Sequence, residues 1–324
     1  MQAIDRWLRR AVIAAGLVIA TQAAAQYPDK PVKMIVPWPP GGLVDILARA
    51  VSNPMASALG QPVIVENRTG AGGSIGAAAV ASAPADGYTI LLSTSALDMN
   101  AALGIKTAFD VTKDFDPIVV AAYAPSILVV NPALPAKSVK ELLALARKEP
   151  GRYTFGSAGI GSPAHFSGEL LKSLAGVDMT HVAYKGAPQA MLDVIAGRVD
   201  CLFANIAVGQ PQIRSGKVRA LAVTSASRIA AFPDVPTMAE AGVPGFEADQ
   251  WLGFLAPHGT QQPIVERLAA KINKALASPA VKAVLARNGM TVDGASTPQS
   301  FASYLAADLR KWSSLAKKAN LHGN

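Results

Sequence analysis

Short runs rich in Val and Ile alternate with stretches whose apolar residues recur every three to four positions, a rhythm that predicts α/β layering. The run at 32–37 predicts a first strand. Beyond it Val44, Leu47, Ala48, Val51, Met55 and Leu59 fall near helical spacing and predict a helix over Leu43–Leu59. Strands are expected at 62–66, 89–93 and 117–122, with a helix at 75–82. The pattern then restarts with a strand at 126–131. Ser138 and Glu141 suit a capping box opening a helix over 142–148, since their side chains can satisfy exposed amide donors. A strand at 153–156 precedes a helix at 164–174, with Pro163 at a suitable first position. Strands at 181–184, 201–203 and 219–223 continue the set, and a helix follows the first of them. Thr237 and Glu240 form a second capping box. A last strand is expected at 251–256, followed by helices at 263–277, 279–287 and 298–319.

Strand, glycine-rich turn and helix thus occur twice in corresponding places, at 35–50 and 154–171. Two similar lobes follow from that, although no sequence repeat is convincing. The tail has several helices and few strands to accompany them, so it is expected to return to the first lobe. That makes lobe 1 discontinuous, 26–124 with 226–324, and leaves 125–225 as lobe 2.

Composition changes this picture at the N-terminus. Arg6, Arg9 and Arg10 precede an apolar run at 11–20 and then Ala23-Ala24-Ala25, the layout of a secretory signal peptide. The run is shorter than the ~20 residues a spanning helix needs, so cleavage after Ala25 and a periplasmic location are expected. Roughly 300 residues remain, enough for two domains. Cys201 is the single cysteine. It lies in an apolar run and reads as a buried hydrophobe.

The formal charge is +8, of which the first 25 residues carry three Arg and one Asp, leaving +6. A positive protein attracts anions. The Lys and Arg are scattered without a basic helix or an aromatic-interleaved stripe, which argues against nucleic acid and for a small anion.

Candidate chemistry concentrates in turns between strands and helices. Pro37-Trp38-Pro39-Pro40-Gly41-Gly42 ends a strand and opens a helix, whose N-terminus offers free N–H groups and partial positive charge. The loop is either an anion seat or a plain Pro/Gly turn. Gly156-Ser157-Ala158-Gly159-Ile160-Gly161-Ser162-Pro163 is its counterpart, with Ser162 suited to an N-cap. Tyr184-Lys185-Gly186-Ala187-Pro188 is a third such turn. Ligands of open α/β sheets sit beyond the carboxyl ends of strands, so these turns could close on one anion from two sides. His165, one turn into its helix, faces either the cleft or the core.

Catalysis has one sequence candidate. Gly72-Gly73-Ser74-Ile75-Gly76 matches the G-x-S-x-G elbow, and Asp249 and His258 follow in hydrolase order. An elbow needs its serine directly after a strand, whereas Arg68–Ala71 intervene here, so a secreted serine hydrolase is the alternative reading. The glycines miss the G-x-G-x-x-G register, and His165, His181, His258 and His322 form no ligand pair, so no cofactor or metal is expected.

At these residues the chain resembles the tripartite tricarboxylate transporter substrate-binding family, the Bug-type solute receptors. Matching stretches run in order from Tyr27-Pro28-Asp29-Lys30-Pro31-Val32 through the Pro37–Gly42 turn with Asp45, Gly60-Gln61-Pro62-Val63-Ile64-Val65-Glu66-Asn67-Arg68 and Gly70-Ala71-Gly72-Gly73. Asp86-Gly87-Tyr88, Gly156-Ser157-Ala158-Gly159, Tyr184-Lys185-Gly186, Arg219-Ala220-Leu221-Ala222-Val223, Pro233-Asp234-Val235-Pro236-Thr237 and Glu240-Ala241-Gly242 complete them. The resemblance implies a type II periplasmic-binding fold, two α/β lobes joined by crossing strands around a cleft. It implies a monomeric receptor holding a small organic carboxylate, often through bridging waters, and delivering it to two integral membrane transporter subunits. Carried over by position, Trp38, Pro40, Gly41, Gly42, Ser93, Thr94 and Ser95 would line the first lobe. Ser157, Ala158, Gly159, Ser162, Tyr184, Lys185 and Gly186 would line the second, with His165 and Asn205 nearby.

Three positions depart from the family pattern. Leu43-Val44 replaces small polar residues, which suggests a more apolar mouth. Ala183 replaces a proline. Ala204 stands where an aspartate is frequent, and losing that carboxylate favours a ligand without an amino group, such as an apolar or aromatic acid.

Overall fold

The computed structural model describes residues 27–323, so the signal-peptide reading lies outside the described residues. The first half is β1 (Val32–Val36), α1 (Leu43–Leu59), β2 (Val63–Asn67), α2 (Ser74–Ala81), β3 (Thr89–Thr94), α3 (Ala96–Ala102) and β4 (Phe115–Ala124). The middle is β5 (Ser126–Val130), α4 (Val139–Lys148), β6 (Thr154–Ser157), α5 (Pro163–Ala175), β7 (Thr180–Ala183), α6 (Ala187–Ile195), β8 (Cys201–Asn205), α7 (Ile206–Arg214) and β9 (Arg219–Val223). The tail is β10 (Gln250–Pro257), α8 (Gln262–Leu276), α9 (Pro279–Arg287), β11 (Thr291–Val292) and α10 (Pro298–Lys318).

These strands form two sheets, ordered β11-β4-β10-β3-β1-β2 and β7-β6-β8-β5-β9. In each, three strands run parallel and the next is antiparallel: β10 against β3, and β5 against β8. The shared plan gives the two similar lobes expected from the repeated strand–turn–helix pattern, in the type II arrangement that the family resemblance implies. Only Pro125 separates β4 from β5, so the chain crosses between sheets almost without a loop.

The tail packs on both sheets. β10 and β11 pair with β4 in the first sheet. Met238, Val243, Phe246 and Ala248 instead join the second sheet's core, where Phe246 stacks on Phe203 at 5.6 Å. Helix α10 spans the two cores. Phe301 near its start belongs to the first sheet's cluster, and Trp312, Leu315 and Ala316 near its end belong to the second sheet's.

Several local expectations need correction. β11 follows the strand at Gln250–Pro257, so that strand is not the last. Two residues of weak pairing leave no periodic signature. Helices α3 and α7 were not anticipated; Asn205, whose Oδ1 accepts the Val208 N–H at 3.0 Å, marks the second as an N-cap. Thr237 and Glu240 make both capping bonds, at 2.9 and 3.1 Å, yet only a turn follows. Gly242, in left-handed conformation, and Pro244 stop the helix after one turn. Cys201 is fully buried, and desolvation pushes its thiol pKa up, as suits a core hydrophobe.

Candidate functional site

The carboxyl ends of β1 and β3 carry the first lobe's turns. Trp38 is half-buried, its carbonyl accepting the Asn67 side-chain N–H at 3.0 Å. Its indole lies on the Gly72–Gly73 turn, where a Cβ on Gly73 would begin 3.0 Å from Trp38 Cζ2. Pro40, Gly41 and Gly42 are exposed, and Gly41 has φ +83°.

The turn's own donors are already engaged. Gly41 N–H donates to Asp45 Oδ2 at 2.9 Å, and Gly42 N–H reaches Pro39 O at 3.4 Å. Asp45 is buried and also accepts from Arg49 at 2.9 Å and Asn67 at 2.9 Å. Burial opposes its ionisation, but these hydrogen bonds outweigh burial and hold its pKa below the usual range. The amides left without helix partners are those of residues 43–45, because Ile46 N–H is the first to close the helix. Asp45→Ala is expected to cost about 1–2 kcal/mol in chemical denaturation, since it frees three donors at once.

Ser93, Thr94 and Ser95 are fully buried at the end of β3. Thr94 Oγ1 accepts the Ala96 N–H at 3.2 Å. Ser93 Oγ and Ser95 Oγ have no protein partner. Ser93 lines a cavity of about 400 Å³ together with Trp38, Gly72, Gly73, Leu97 and Asn100. Buried hydroxyls are normally bonded, so two orphans side by side need a reason.

In the second lobe Ser157 is fully buried and saturated. Its Oγ accepts the Gly159 N–H at 3.0 Å and lies 2.7 Å from His181 Nε2. Ala158 and Gly159 are partly exposed, Gly159 with φ +119°. Ser162 is the N-cap expected of it, accepting the His165 N–H and donating to Gly159 O at 2.7 Å. His165 is buried, so it points to the core side of the turn. Tyr184 donates its hydroxyl to Asp193 at 2.6 Å, and burial together with that carboxylate pushes its pKa up to about 12. Lys185 is exposed and, among the described residues, has no ion-pair partner. Gly186, in extended conformation, starts α6, and Asn205 starts α7.

The two sets face each other. A Cβ on Gly161 would begin 3.0 Å from Leu103 Cδ1 and 3.2 Å from Asn100 Oδ1, so the second-lobe turn touches the C-terminal end of α3. Asn100 in turn donates to Gly72 O at 3.4 Å. The lobes meet again where Gly289 abuts Ile206.

Sequence reasoning missed Asp45 as the internal occupant of the first turn and His181 as the anchor of Ser157. Asp45 was legible as an acidic residue in the first turn of a helix. His181 was not, because β6 and β7 lie side by side only in the sheet. The departures at positions 43, 44 and 204 also read differently. Val44 is core, and Leu43 packs half-buried on the same cluster. Ala204 is fully buried, its Cβ 3.4 Å from where a Gly209 side chain would begin. Core packing therefore bears on all three positions.

The hydrolase alternative does not assemble. Ser74 begins α2 after a short 3-10 turn, seven residues beyond the strand end at Asn67. His258 bonds Asp116 at 2.9 Å, and Asp249 accepts from Thr224 at 2.9 Å. Gly76 is glycine for packing, since a Cβ would begin 2.7 Å from Arg68 O. Among the described residues no group of three His, Cys, Asp or Glu side chains could hold a metal, and no helix is long and apolar enough to cross a membrane.

Comparison with known proteins agrees with this geometry. A family model described as "Tripartite tricarboxylate transporter family receptor" matches residues 47–321. The periplasmic binding protein BugD superposes with TM-score 0.76 and 34% identity, covering 92% of this chain and 100% of its own. Rpa4515 of R. palustris, solved with adipate, gives 0.78 at 35% identity over 91% and 99%. MatC of Rhodopseudomonas palustris, solved with malate, gives 0.75 at 33% over 89% and 99%. These neighbours are solute-binding receptors and not enzymes, and tripartite transporter receptors are periplasmic. With a family model matched over most of its length and two sheets that superpose on these receptors, the chain belongs to the tripartite tricarboxylate transporter family of receptors.

Proposed function

We propose that this receptor captures a small organic carboxylate between its lobes and hands it to integral membrane transporter subunits, acting as a monomer after cleavage behind Ala25. The observation that carries the reading is the pair of buried, unpartnered hydroxyls on Ser93 and Ser95, which lead into α3, the helix whose Asn100 and Leu103 meet Gly161 of the second lobe. A carboxylate, directly or through water, satisfies such groups. The amides of residues 43–45, the exposed Lys185 ammonium and the side chain of Asn205 supply further donors. Against the expected division of 26–124 with 226–324 and 125–225, lobe 1 is read as 27–124 with 250–323 and lobe 2 as 125–249. The packing of Met238, Val243, Phe246 and Ala248 on the second sheet supports counting 226–249 with lobe 2.

Adipate and malate, the acids held by two neighbours, head the test panel. Aromatic acids and amino acids complete it. Thermal melting is expected to rise with a carboxylate, the stabilisation reaching about 2.7 kcal/mol at a hundredfold excess over Kd. A panel in which no carboxylate stabilises the protein overturns the reading. Tight binding of an amino acid alone overturns the narrower idea of an amine-free, apolar or aromatic ligand.

Ser93→Ala gives a sharper result. It removes a buried unsatisfied hydroxyl, so stability without ligand is expected to hold or rise slightly. Affinity for the stabilising acid is expected to fall about tenfold, roughly 1.4 kcal/mol. Calorimetry and melting on the same variant check both halves.

A further inference from the structure

The Ser157–Ser162 turn is gripped from beneath by two imidazoles. His165 and His181 stack with ring centroids 4.0 Å apart and planes 19° from parallel. Phe155 also stacks on His181 at 4.9 Å. Each ring holds a different point of the turn. His181 Nε2 lies 2.7 Å from Ser157 Oγ, and Gly161 N–H donates to His165 Nδ1 at 3.2 Å. Between these points Gly159 N–H donates to Ser157 Oγ, and Gly159 O accepts from Ser162 at 2.7 Å.

A backbone N–H can donate to Nδ1 only when that nitrogen keeps its lone pair. His165 is therefore neutral, with its proton on Nε2. Burial first, and then the neighbouring ring and Lys172, lower the His165 pKa to about 4; burial and Lys172 do the same for His181. The charged side chains facing the pair come from α5: Lys172 and its partner Glu169, 3.0 Å apart. β6 presents Phe155, β7 contributes His181 itself, and α10 packs Trp312 on Phe166 beside His165.

We propose that the neutral His165–His181 stack is a positioning device that fixes the second-lobe ligand turn in its binding shape. This rests on the reading of that turn as ligand-facing. The two rings differ in sensitivity. A proton on His181 Nε2 is tolerated, because Ser157 can swing its hydroxyl hydrogen to Gly159 O, 3.0 Å away. A proton on His165 Nδ1 points directly at Gly161 N–H and places a cation in the stack. The turn then lets go, and ligand affinity falls with it.

The test begins without ligand, on nitrogen-labelled full-length protein titrated from about pH 7.5 to the onset of acid unfolding. His165 is expected to show bare Nδ1 and protonated Nε2 at neutral pH. The Gly161 amide resonance is expected to move with the same midpoint as the His165 ring. A His165 ring protonated on Nδ1 at neutral pH, or a Gly161 amide that stays still while the ring titrates, overturns the proposal. Adipate and malate binding then follow the turn. His165→Asn keeps an acceptor near the Nδ1 position and is expected to hold Kd within about threefold, with the acid-side weakening abolished. His165→Ala is expected to weaken binding about tenfold. Unchanged affinity in His165→Ala, with the amide coupling intact in the parent, would overturn the ligand-facing reading of the turn rather than the coupling. The amide titration needs no ligand, so it decides the coupling for any solute.

Discussion

Trp251→Ala is expected to destabilise the protein by about 3–5 kcal/mol, read as a lowered denaturation midpoint. Trp251 is fully buried on β10, the antiparallel strand between β3 and β4. Its ring packs edge-on against Phe301 of α10 at 5.3 Å. Its indole N–H reaches both Asp98 Oδ2, at 3.1 Å, and Asp308 Oδ2, at 3.2 Å. Asp308 is further held by Trp312 Nε1 at 2.9 Å and Lys311 at 2.8 Å. Burial, and then the neighbouring Asp308, push the Asp98 carboxyl well above its ordinary pKa. Truncation removes one of the two tryptophans of this junction and leaves two carboxyls short of a shared donor. Trp251→Phe separates the two losses. It keeps most of the volume and is expected to cost about 1–2 kcal/mol for the missing N–H. Equal costs in both variants would show that packing contributes little there.

The second large effect is a pH dependence with opposing parts. Asp249 rises to about 6, burial being the main cause and the Thr224 hydroxyl opposing it. Its folded pKa exceeds the unfolded one, so its stabilisation is complete below about pH 4 and is lost as pH rises through 6. With allowance for its partial exposure to water, the loss is roughly 2 kcal/mol. Asp98, whose pKa is also raised, acts in the same direction. His165 and His181 act oppositely. Their folded pKa of about 4 lies below the usual 6.5, so their contribution is complete above 6.5 and is lost as pH falls toward 4. Asp249→Asn, which keeps an acceptor for Thr224, is expected to remove Asp249's share of the loss between about pH 4 and 7. Its acid-side decline should then be steeper than that of the parent. Denaturation midpoints collected across that range settle the sign, and parallel curves for both proteins would contradict it.

Periodicity carried well wherever an element packs on one face. Val44, Leu47, Ala48, Val51, Met55 and Leu59 are all buried on α1, and the helix bounds agree with the spacing. The strand at Arg219–Val223 was equally legible. Helix α3, of seven residues, is too short to display two turns of period, and α7 carries Pro211 and Gly209 within it. Capping chemistry proved local in the same sense. Ser138 receives the Glu141 N–H at 3.2 Å as expected, while the Glu141 carboxylate takes the Lys137 N–H instead of the reciprocal bond.

The sequence by itself determined the class of molecule. Repeated strand–turn–helix units, glycine-rich turns and ordered family stretches require only local chemistry, which a linear chain displays in full. It also marked Trp38, Ser93, Ser95, Ser157 and Lys185 as residues to watch. Which of their groups are already spent was decided in three dimensions. Gly41 N–H belongs to Asp45, four residues on, and Ser157 Oγ belongs to His181, on a neighbouring strand. Ser93 and Ser95 are buried with hydroxyls that no protein group meets, which the linear chain does not display. A hydrogen bond is saturated by whichever partner lies within about 3 Å, and only the folded chain fixes that distance.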